Sequence, residues 1–334
     1  MFPQAPPEGP PRPPDFEEPG IRDPGIGGRD VVGRTGVAAR PSGRIAALVR
    51  GVRVRQWPKN LLVFVAPAAA RVLQHGGPAL HAVGACAVFT AAASGTYLLN
   101  DVLDAEADRH HPEKRHRPVA SGALPERMAV ACAVVLLAAA VGSAWLLAGW
   151  ILAAVIGAYV AISVAYSVRL KHEPVIELAA VASGFVLRAI AGGASTHVPL
   201  SSWFLVVTCF GALFIVTGKR AAEHRSLGDG RGVHRPSLAL YTPSFLRSTL
   251  TLSAAVTVTA YCLWAFERAG QLSHAHHLVL MQLTVVPVVL GLLHVLRLLD
   301  AGEGGSPEEL VFRDRFLQVM GVLWVVLFAL GLYA

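Results

Sequence analysis

The chain has 334 residues, of which 54% are hydrophobic and only 15% charged, and its net charge is +7. Soluble domains carry about 25% charged residues, so this chain has too little polar surface to be covered by water alone. We therefore predict a membrane protein. The four cysteines stand singly in apolar runs, which excludes the paired spacing of a zinc site or a disulfide framework.

The first segment differs in composition from everything that follows. Residues 1–30 contain nine prolines, with glycine and charged residues between them and few aliphatic side chains. Such a segment cannot bury enough apolar surface to offset the entropy that it would lose on ordering. We predict that residues 1–43 form a disordered cytoplasmic tail and that residues 44–334 form a transmembrane catalytic domain.

Long apolar runs fill the rest of the chain. A helix that crosses a membrane needs about 20 mostly apolar residues, and the runs predict an all-α fold, a polytopic transmembrane bundle of about nine helices. The predicted spans are 60–74, 79–100, 128–147, 150–168, 175–194, 200–218, 248–266, 278–296 and 316–334. The stretch 128–168 has twice the length of one span, and we predict that it breaks at Ala148 and Gly149 into a tight helical hairpin.

Lysine and arginine are concentrated in one set of loops. Of 29 such residues, 26 lie in the N-terminal segment or in loops that follow even-numbered spans, whereas the opposite loops hold only Arg71 and Arg268. Because cytoplasmic loops carry the excess of basic residues, we predict a multi-pass protein of the inner (plasma) membrane with a cytoplasmic N-terminus and active site. Anionic lipid headgroups or phosphorylated substrates are then the expected partners, rather than nucleic acid.

The strongest chemical motif lies at the cytoplasmic end of the second span. Asn100, Asp101, Asp104 and Asp108 recur at helical spacing and share one helix face. Three like charges on one face repel each other unless a cation lies among them, and carboxylates acting together with substrate phosphates suit Mg²⁺. We predict that Asp101, Asp104 and Asp108 are the metal-binding and catalytic residues. The alternative is an acidic helix end exposed to solvent.

Other polar side chains near the cytoplasmic ends of the spans are candidate substrate contacts, because cations beside a metal-bound pyrophosphate stabilise leaving-group charge. The predicted substrate-binding residues are Lys59, Asn60, Asn100, Lys114, Arg115, Arg117, Tyr166, Lys171, Glu177, Arg188, Lys219 and Arg220. Arg188 lies inside a span, where an arginine needs a partner or a wet cavity. It shares a helix face with Glu177, and an ion pair with a neighbouring helix is the alternative. For Lys59 the alternative is a lysine that snorkels to the interface.

With these residues in view, the chain resembles the UbiA superfamily of intramembrane prenyltransferases. The segment from Asn100 to Asp108 is similar to the first aspartate-rich motif of that superfamily. More narrowly, several segments resemble the branch formed by the decaprenyl-phosphate phosphoribosyltransferases of actinobacterial cell-wall arabinan synthesis. These segments are 55–60, 97–101, 114–118, 170–172, 188–193, 218–220 and 313–315.

The resemblance implies a Mg²⁺-dependent transfer of a 5-phosphoribosyl group from phosphoribosyl pyrophosphate to a polyprenyl phosphate, with release of pyrophosphate. The chain departs from the wider superfamily in one respect. Many members carry a second aspartate-rich motif near the start of the fifth span, where this chain has only Glu177. This departure fits the phosphoribosyltransferase branch, whose lipid substrate is a monophosphate.

Two other functions remain open at this point. A prenyltransferase of the same superfamily would move a prenyl group from a prenyl diphosphate to an aromatic acceptor. A membrane transporter also needs charge within the membrane, but transporter sites usually lie at the midplane on broken helices of related repeats. The acids of this chain gather at one membrane face instead. A homo-oligomer is compatible with the sequence.

Overall fold

The structure is a computed structural model, and it describes residues 41–226, 238, 240–271, 275–302, 310–311 and 313–333. Within these ranges every regular element is a helix, in agreement with the predicted all-α class. The predicted tail, apart from its last three residues, lies outside the described residues and stays a prediction. The first helix begins at Pro41, just inside the boundary predicted for that tail.

Eleven α-helices and four 3₁₀ helices make up the described part of the chain. The α-helices are α1 (Pro41–Gly51), α2 (Val65–Ala69), α3 (Gly76–Leu103), α4 (Ala105–Arg109), α5 (Glu126–Val168), α6 (Ile176–Thr196), α7 (Ser202–Ser226), α8 (Pro243–Ala269), α9 (Ala275–Leu283), α10 (Val285–Ala301) and α11 (Arg315–Tyr333). The 3₁₀ helices are Val54–Phe64, Val72–Gln74, Lys114–His116 and Leu170–His172.

Seven helical stretches among the described residues are long and apolar enough to cross a membrane, with α9 and α10 forming one of them. The first predicted span, 60–74, consists instead of the 3₁₀ helix Val54–Phe64, the five-residue α2 and a further short turn. Two predicted spans, 128–147 and 150–168, fall within α5. The predicted count of nine is therefore not confirmed as such, although the remaining predicted spans each match one apolar stretch.

Helix α5 is a hairpin that breaks where the sequence predicts it. Ala148 and Gly149 have non-helical backbone angles, and Gly149 has a φ of 73°, which glycine adopts without steric cost. Four contacts of α5 with α3, in order along α3, are Gly84–Leu147, Phe89–Tyr159, Gly95–Leu137 and Asn100–Ser167. The first half of α5 thus runs antiparallel to α3, and the second half runs parallel to it.

The first predicted span packs closely on α6 because α6 carries Gly192 at the point of contact. A Cβ atom at Gly192 would lie 1.9 Å from the carbonyl oxygen of Val63, a distance that no side chain permits. Because the two backbones approach so closely, the 3₁₀ helix Val54–Phe64 packs along α6, and the Asn60 side chain hydrogen-bonds Arg188. The glycine therefore decides where one part of the candidate site lies.

The bundle has two ends that differ in chemistry. One end holds the C-termini of α3, α5 and α7 and the N-terminus of α6. Acidic and basic side chains meet there, and we call it the charged end. The opposite end holds the α5 hairpin turn, the α6–α7 connection and the C-terminus of α8. Between them, large apolar side chains are exposed on α5 and α11, as expected of surfaces that face lipid.

Candidate active site

The acidic segment lies where α3 gives way to α4. α3 ends at Leu103, and Asp104 joins the two helices with a φ of −95° and a ψ of 0°. Helical hydrogen bonds continue across this break, because the Asp104 amide donates to the Asn100 carbonyl and the Asp108 amide donates to the Asp104 carbonyl. Asp101 and Asp108 are buried and Asp104 is half-buried. The predicted carboxylates therefore lie on successive turns of a nearly continuous helical segment.

Two arginines bind the buried carboxylates. Arg53, which lies between α1 and the following 3₁₀ helix, donates to Asp101, and its guanidinium lies 4.9 Å from the centroid of the Tyr97 ring. Arg117, in the loop after α4, has one nitrogen 2.7 Å from Asp108 and 3.5 Å from Asp101. Because the same nitrogen reaches both carboxylates, it offsets the repulsion between them.

Asp104 turns toward the connection between α5 and α6. Lys171 forms a salt bridge with one oxygen of Asp104, and the Asn100 side-chain amide donates to the other at 3.0 Å. The side-chain oxygen of Asn100, Oδ1, in turn accepts a hydrogen bond of 2.8 Å from the Ser167 hydroxyl at the end of α5. This chain of contacts fixes the orientation of Asn100 and ties the acidic segment to α5.

The donor set fits a magnesium ion, although the carboxylates are not grouped around one point. Within the described residues, no three His, Cys, Asp or Glu side chains lie close enough together to hold a metal ion. Magnesium is usually bound by one or two carboxylates together with substrate phosphates, rather than by a cage of protein ligands. Asp101, Asp104 and Asp108 offer hard oxygens of that kind, each paired here with Arg or Lys. Metal binding by these three residues stays a prediction.

A second group of charges lies between α6 and α7. Arg220 binds the fully buried Glu177 in a bidentate pair, with N–O distances of 2.8 and 3.1 Å, and binds Glu223 at 2.8 Å. Paired geometry of this kind is the strong form of a charge-assisted hydrogen bond. Tyr166 also interacts electrostatically with Arg220. Since Tyr166 precedes Ser167, the end of α5 joins this group to the acidic segment.

A strained turn leads into Glu177. Val175 has a φ of 66° and a ψ of −49°, and the Ile176 amide donates to the Pro174 carbonyl, which together define a classic γ-turn. The hydroxyl of Tyr241 accepts a hydrogen bond of 2.9 Å from the Val175 amide. Burial raises the pKa of Tyr241 above its usual value, so its hydroxyl stays protonated at neutral pH. Tyr241 thereby holds the turn from the α7–α8 side.

A third group lies further along α6 than Glu177 and surrounds Arg188. Arg188 donates from Nε to the Asn60 side-chain carbonyl at 2.8 Å and from Nη1 to the Gly184 carbonyl at 2.6 Å. Its guanidinium also lies 4.7 Å from the ring centroid of Phe89 and 5.2 Å from that of Tyr159. Cation–π contacts of this kind stabilise a desolvated cation by about 2 kcal/mol. An amide, a carbonyl and aromatic rings thus surround the buried cation.

The structure brings some predicted residues together and separates others. Glu177 and Arg188 do lie on one helix and are both buried, but Glu177 binds α7 whereas Arg188 binds the 3₁₀ helix that carries Asn60. The Lys59 ammonium lies 5.9 Å from the ring centroid of Phe185, which the Arg188 guanidinium also approaches to 5.9 Å. Of the remaining predicted cations, Lys114 is half-buried and Arg115 and Lys219 are exposed. Their predicted contacts with substrate remain untested.

Arg53, Ser167 and Glu223 are not among the predicted site residues. Arg53 is one of ten basic residues before position 61, so the membrane-orientation signal conceals it. Ser167 stands in an apolar run without a motif of its own. Glu223 was the most accessible of the three to prediction, because it lies one turn from Arg220 at a spacing that favours an ion pair.

Fold and site together define a class of protein. The chain is an integral membrane protein built from a polytopic helical bundle, with an ion-paired group of acids and bases at one end. The chain belongs to the UbiA prenyltransferase family, whose sequence profile matches residues 61–333.

Curated relatives are similar over most of their length. The decaprenyl-phosphate phosphoribosyltransferase of Mycobacterium tuberculosis is 42% identical over 294 residues, which cover 86% of this chain and 95% of that protein. The protein of the same name from Corynebacterium glutamicum is 40% identical over 299 residues, which cover 88% of this chain and 89% of that protein. A relative of the same name from Mycolicibacterium smegmatis is 42% identical over 306 residues, which cover 89% of this chain and 95% of that protein.

Solved structures share the fold at low sequence identity. A UbiA homologue from Archaeoglobus fulgidus bound to GPP and Mg²⁺ has a TM-score of 0.61 at 17% identity, over 85% of this chain and 98% of that one. A structure of the same homologue bound to Cd²⁺ has a TM-score of 0.60 at 18% identity, over 86% and 98%. At 17–18% identity, these likenesses show that the fold is shared.

Proposed function

We propose that this protein transfers the 5-phosphoribosyl group of phosphoribosyl pyrophosphate to a polyprenyl phosphate, such as decaprenyl phosphate, with release of pyrophosphate. The observation that carries the proposal is the pairing of three carboxylates of one helical segment with Arg53, Arg117 and Lys171 at the charged end. A substrate that brings both a pyrophosphate and a metal ion matches this balanced set of charges. Relatives named for this activity, at 40–42% identity, support it further.

The proposed reaction needs little acid–base chemistry. The bond between ribose C1 and the pyrophosphate oxygen breaks, its electron pair leaves with pyrophosphate, and a lipid phosphate oxygen forms the new bond to C1. Because the attacking phosphate is already an anion, no proton has to be removed from it. The protein has to hold two anionic substrates in line and stabilise the charge that develops on pyrophosphate.

In this proposal the three aspartates hold Mg²⁺, which supplies charge neutralisation to the leaving pyrophosphate when it is bound. Arg117 and Lys171 turn from Asp108 and Asp104 to phosphate oxygens. The other basic residues of the charged end provide phosphate contacts for a donor that also carries a 5-phosphate. These residues are Lys114, Arg115, Lys219 and Arg220. The charged end faces the cytoplasm, as the distribution of basic residues favours.

The third group is assigned to the acceptor. Asn60 and Arg188 lie below the charged end, where the phosphate of a membrane lipid would reach the site from within the bilayer. Lys59 lies beside them and offers a second positive charge. Tyr166 and Asn100 meet the end of α5, where Tyr166 interacts with Arg220 and Asn100 accepts a hydrogen bond from Ser167. We propose that both contact substrate there.

Prenyl transfer to an aromatic acceptor is less well supported. Such a reaction in this family would use a second acidic motif near the start of the fifth span, and the acid there is Glu177. That carboxylate is fully buried and accepts two hydrogen bonds from Arg220. Its partner Arg220 is itself buried, whereas the Arg53 and Arg117 partners of the aspartates are about a quarter exposed. The Glu177 pair is therefore less free to open for a second metal ion.

The test uses purified full-length protein with ribose-labelled phosphoribosyl pyrophosphate, a polyprenyl phosphate and Mg²⁺. We expect label in the lipid phase, and we expect Asp101→Asn and Asp104→Asn to lower its rate of appearance by about 100-fold or more, because each removes charge that positions the leaving group. Chelation of the metal should abolish transfer. Glu106→Gln is the matched control, since Glu106 lies in the same segment but is exposed.

Each outcome decides between functions. Lipid label that depends on Asp101, Asp104 and metal, and that survives Glu106→Gln, supports the proposal. If folded wild-type protein yields no lipid label, the phosphoribosyl assignment is wrong. The same preparation is then given a prenyl diphosphate and an aromatic acceptor, and product in that reaction would establish the alternative.

A further inference from the structure

The opposite end of the bundle contains a cavity that the proposed reaction does not use. Its volume is about 520 Å³, and it lies between α2, the α6–α7 connection and the C-terminus of α8. Residues of its lining include Thr196, His197, Ser201, Phe204, Trp264 and Arg268. The aspartates of the candidate active site lie at the charged end, on the opposite side of the bundle. This cavity is therefore separate from the candidate active site.

Arg268 is the cation of this cavity, and part of its guanidinium lacks an acceptor. Its Nη2 donates to the Ala69 carbonyl and its Nη1 to the Gln271 side chain. Its Nε is buried and, among the described residues, has no hydrogen-bond partner. A buried unsatisfied donor costs about 1–3 kcal/mol, and more on a charged group, so this atom favours an added acceptor.

A second arginine lies close to the first. Arg71 follows α2, stacks over the Tyr333 ring with 5.7 Å to its centroid, and interacts electrostatically with Arg268. The two are the only lysine or arginine residues that the sequence places in the loops of this face. They come from segments 197 positions apart in the chain. Like charges held together favour an anion between them.

The remaining walls suit an amphiphile rather than a free ion. Phe204 and Trp264 pack at 6.1 Å between ring centroids and form an aromatic floor beside the charged mouth. Both rings line the cavity and offer an apolar surface to a lipid chain. Glu267 also lines the cavity, where it accepts a hydrogen bond of 2.7 Å from Ser201 and interacts electrostatically with Arg268.

We propose that this cavity binds the phosphate of a membrane phospholipid, with the phosphodiester at Arg268 and the first part of an acyl chain against Phe204 and Trp264. Arg71 does not line the cavity itself, but its neighbours Ala70 and Val72 do, and its charge adds to the positive potential at Arg268. The ligand is a structural or regulatory lipid, not a reactant. Free inorganic phosphate shares the anionic chemistry but has no part that would contact the aromatic floor, and the experiment separates the two.

The test measures lipid binding to the purified, delipidated full-length protein. Phosphatidylglycerol, a diacylglycerol with the same acyl chains and inorganic phosphate are added separately. Native mass spectrometry reports the bound lipid, and thermal unfolding reports stabilisation. We expect one tightly bound phosphatidylglycerol per chain and a raised Tm, with neither effect from diacylglycerol or inorganic phosphate.

Variants locate the site. Arg268→Gln should weaken phosphatidylglycerol binding by about tenfold or more, because a charge-assisted hydrogen bond is lost. Ala70→Phe should weaken it similarly by filling the cavity, with all contacts of Arg268 retained, and it decides alone if Arg268→Gln does not fold. Arg247→Gln, at an exposed arginine of the charged end, is the control and should bind as wild type.

Three results would overturn the proposal. Unchanged binding by Ala70→Phe would place the lipid elsewhere. An equal effect of diacylglycerol would remove the role of the phosphate. An equal effect of inorganic phosphate would make this an anion site without a lipid. None of these results bears on transfer activity, which is measured separately at the other end of the bundle.

Discussion

Single residues decide how charge is held at the charged end. One nitrogen of Arg117 contacts two buried carboxylates, Arg53 contacts one of them, and Lys171 contacts the third. In the two arginine pairs a buried acid meets a base that is about a quarter exposed, whereas Lys171 and Asp104 are equally exposed. The asymmetry of the arginine pairs suits an exchange in which the carboxylates stay in place and the cations turn to a substrate.

Asn60 provides a test at the residue scale. Asn60→Ala removes the side-chain acceptor of the buried Arg188 Nε, and we expect a loss of about 1–3 kcal/mol in the free energy of unfolding. Asn60→Asp keeps a side-chain oxygen that can accept the hydrogen bond from Arg188, and it should keep stability close to wild type. Thermal unfolding in detergent measures both. Equal destabilisation by the two variants would show that the Arg188 contact is not what Asn60 contributes.

At the scale of elements, close packing and local strain position the site. Val63 of the 3₁₀ helix Val54–Phe64 lies against Gly192 of α6, and α6 itself begins with a turn that its sequence does not favour. Both features lie next to residues that we propose to bind substrate. The helices thus bring chemistry together through backbone contacts that side-chain patterns do not reveal.

Gly192→Ala tests the helix contact. The added methyl group would meet the Val63 carbonyl at 1.9 Å, and because backbone cannot move as a side chain does, we expect destabilisation of about 3 kcal/mol. Gly157→Ala is the matched control, since nothing lies within 4 Å of its Cβ position. That change should be neutral or stabilise by up to about 1 kcal/mol through helix propensity. A Tm for Gly192→Ala that equals the control would contradict the close contact.

The γ-turn before Glu177 gives a second test. Val175 is exposed and β-branched at a positive φ, so Val175→Gly should relieve strain and raise stability by about 1 kcal/mol. Tyr241→Phe removes the acceptor of the Val175 amide and should lower stability by about 1 kcal/mol. Thermal unfolding of both variants checks the signs. A lower Tm for Val175→Gly would mean that the turn is not strained.

At the scale of the whole molecule, the bundle separates its charges between two ends. Acids and bases meet at one end, whereas Arg71 and Arg268 are the only lysine or arginine residues that the sequence assigns to the loops of the other. The excess of basic residues predicts that the charged end faces the cytoplasm. This orientation bears on the proposed function, because the proposed donor is water-soluble and would have to reach the aspartates from the side on which it is made.

Orientation is checked by labelling with a membrane-impermeant maleimide. In a background with the four native cysteines replaced by alanine, Gln271→Cys at the opposite end should react in intact cells. Ser121→Cys at the charged end should react only after the cells are opened, since both positions are exposed in the fold. The reverse pattern would show that the positive charges do not set the orientation of this protein.

The sequence by itself determined the features that depend on local spacing. Apolar length predicted the helices, Gly149 predicted the hairpin turn, and the aspartates at helical intervals predicted the acidic segment. The tertiary structure alone decided the partners: Arg53 for Asp101, Arg220 for Glu177 and Asn60 for Arg188, which are 48, 43 and 128 positions apart. The physical reason is that a helical period specifies which residues share a face of one helix. Which face meets which depends on how closely the backbones approach, as Gly192 demonstrates.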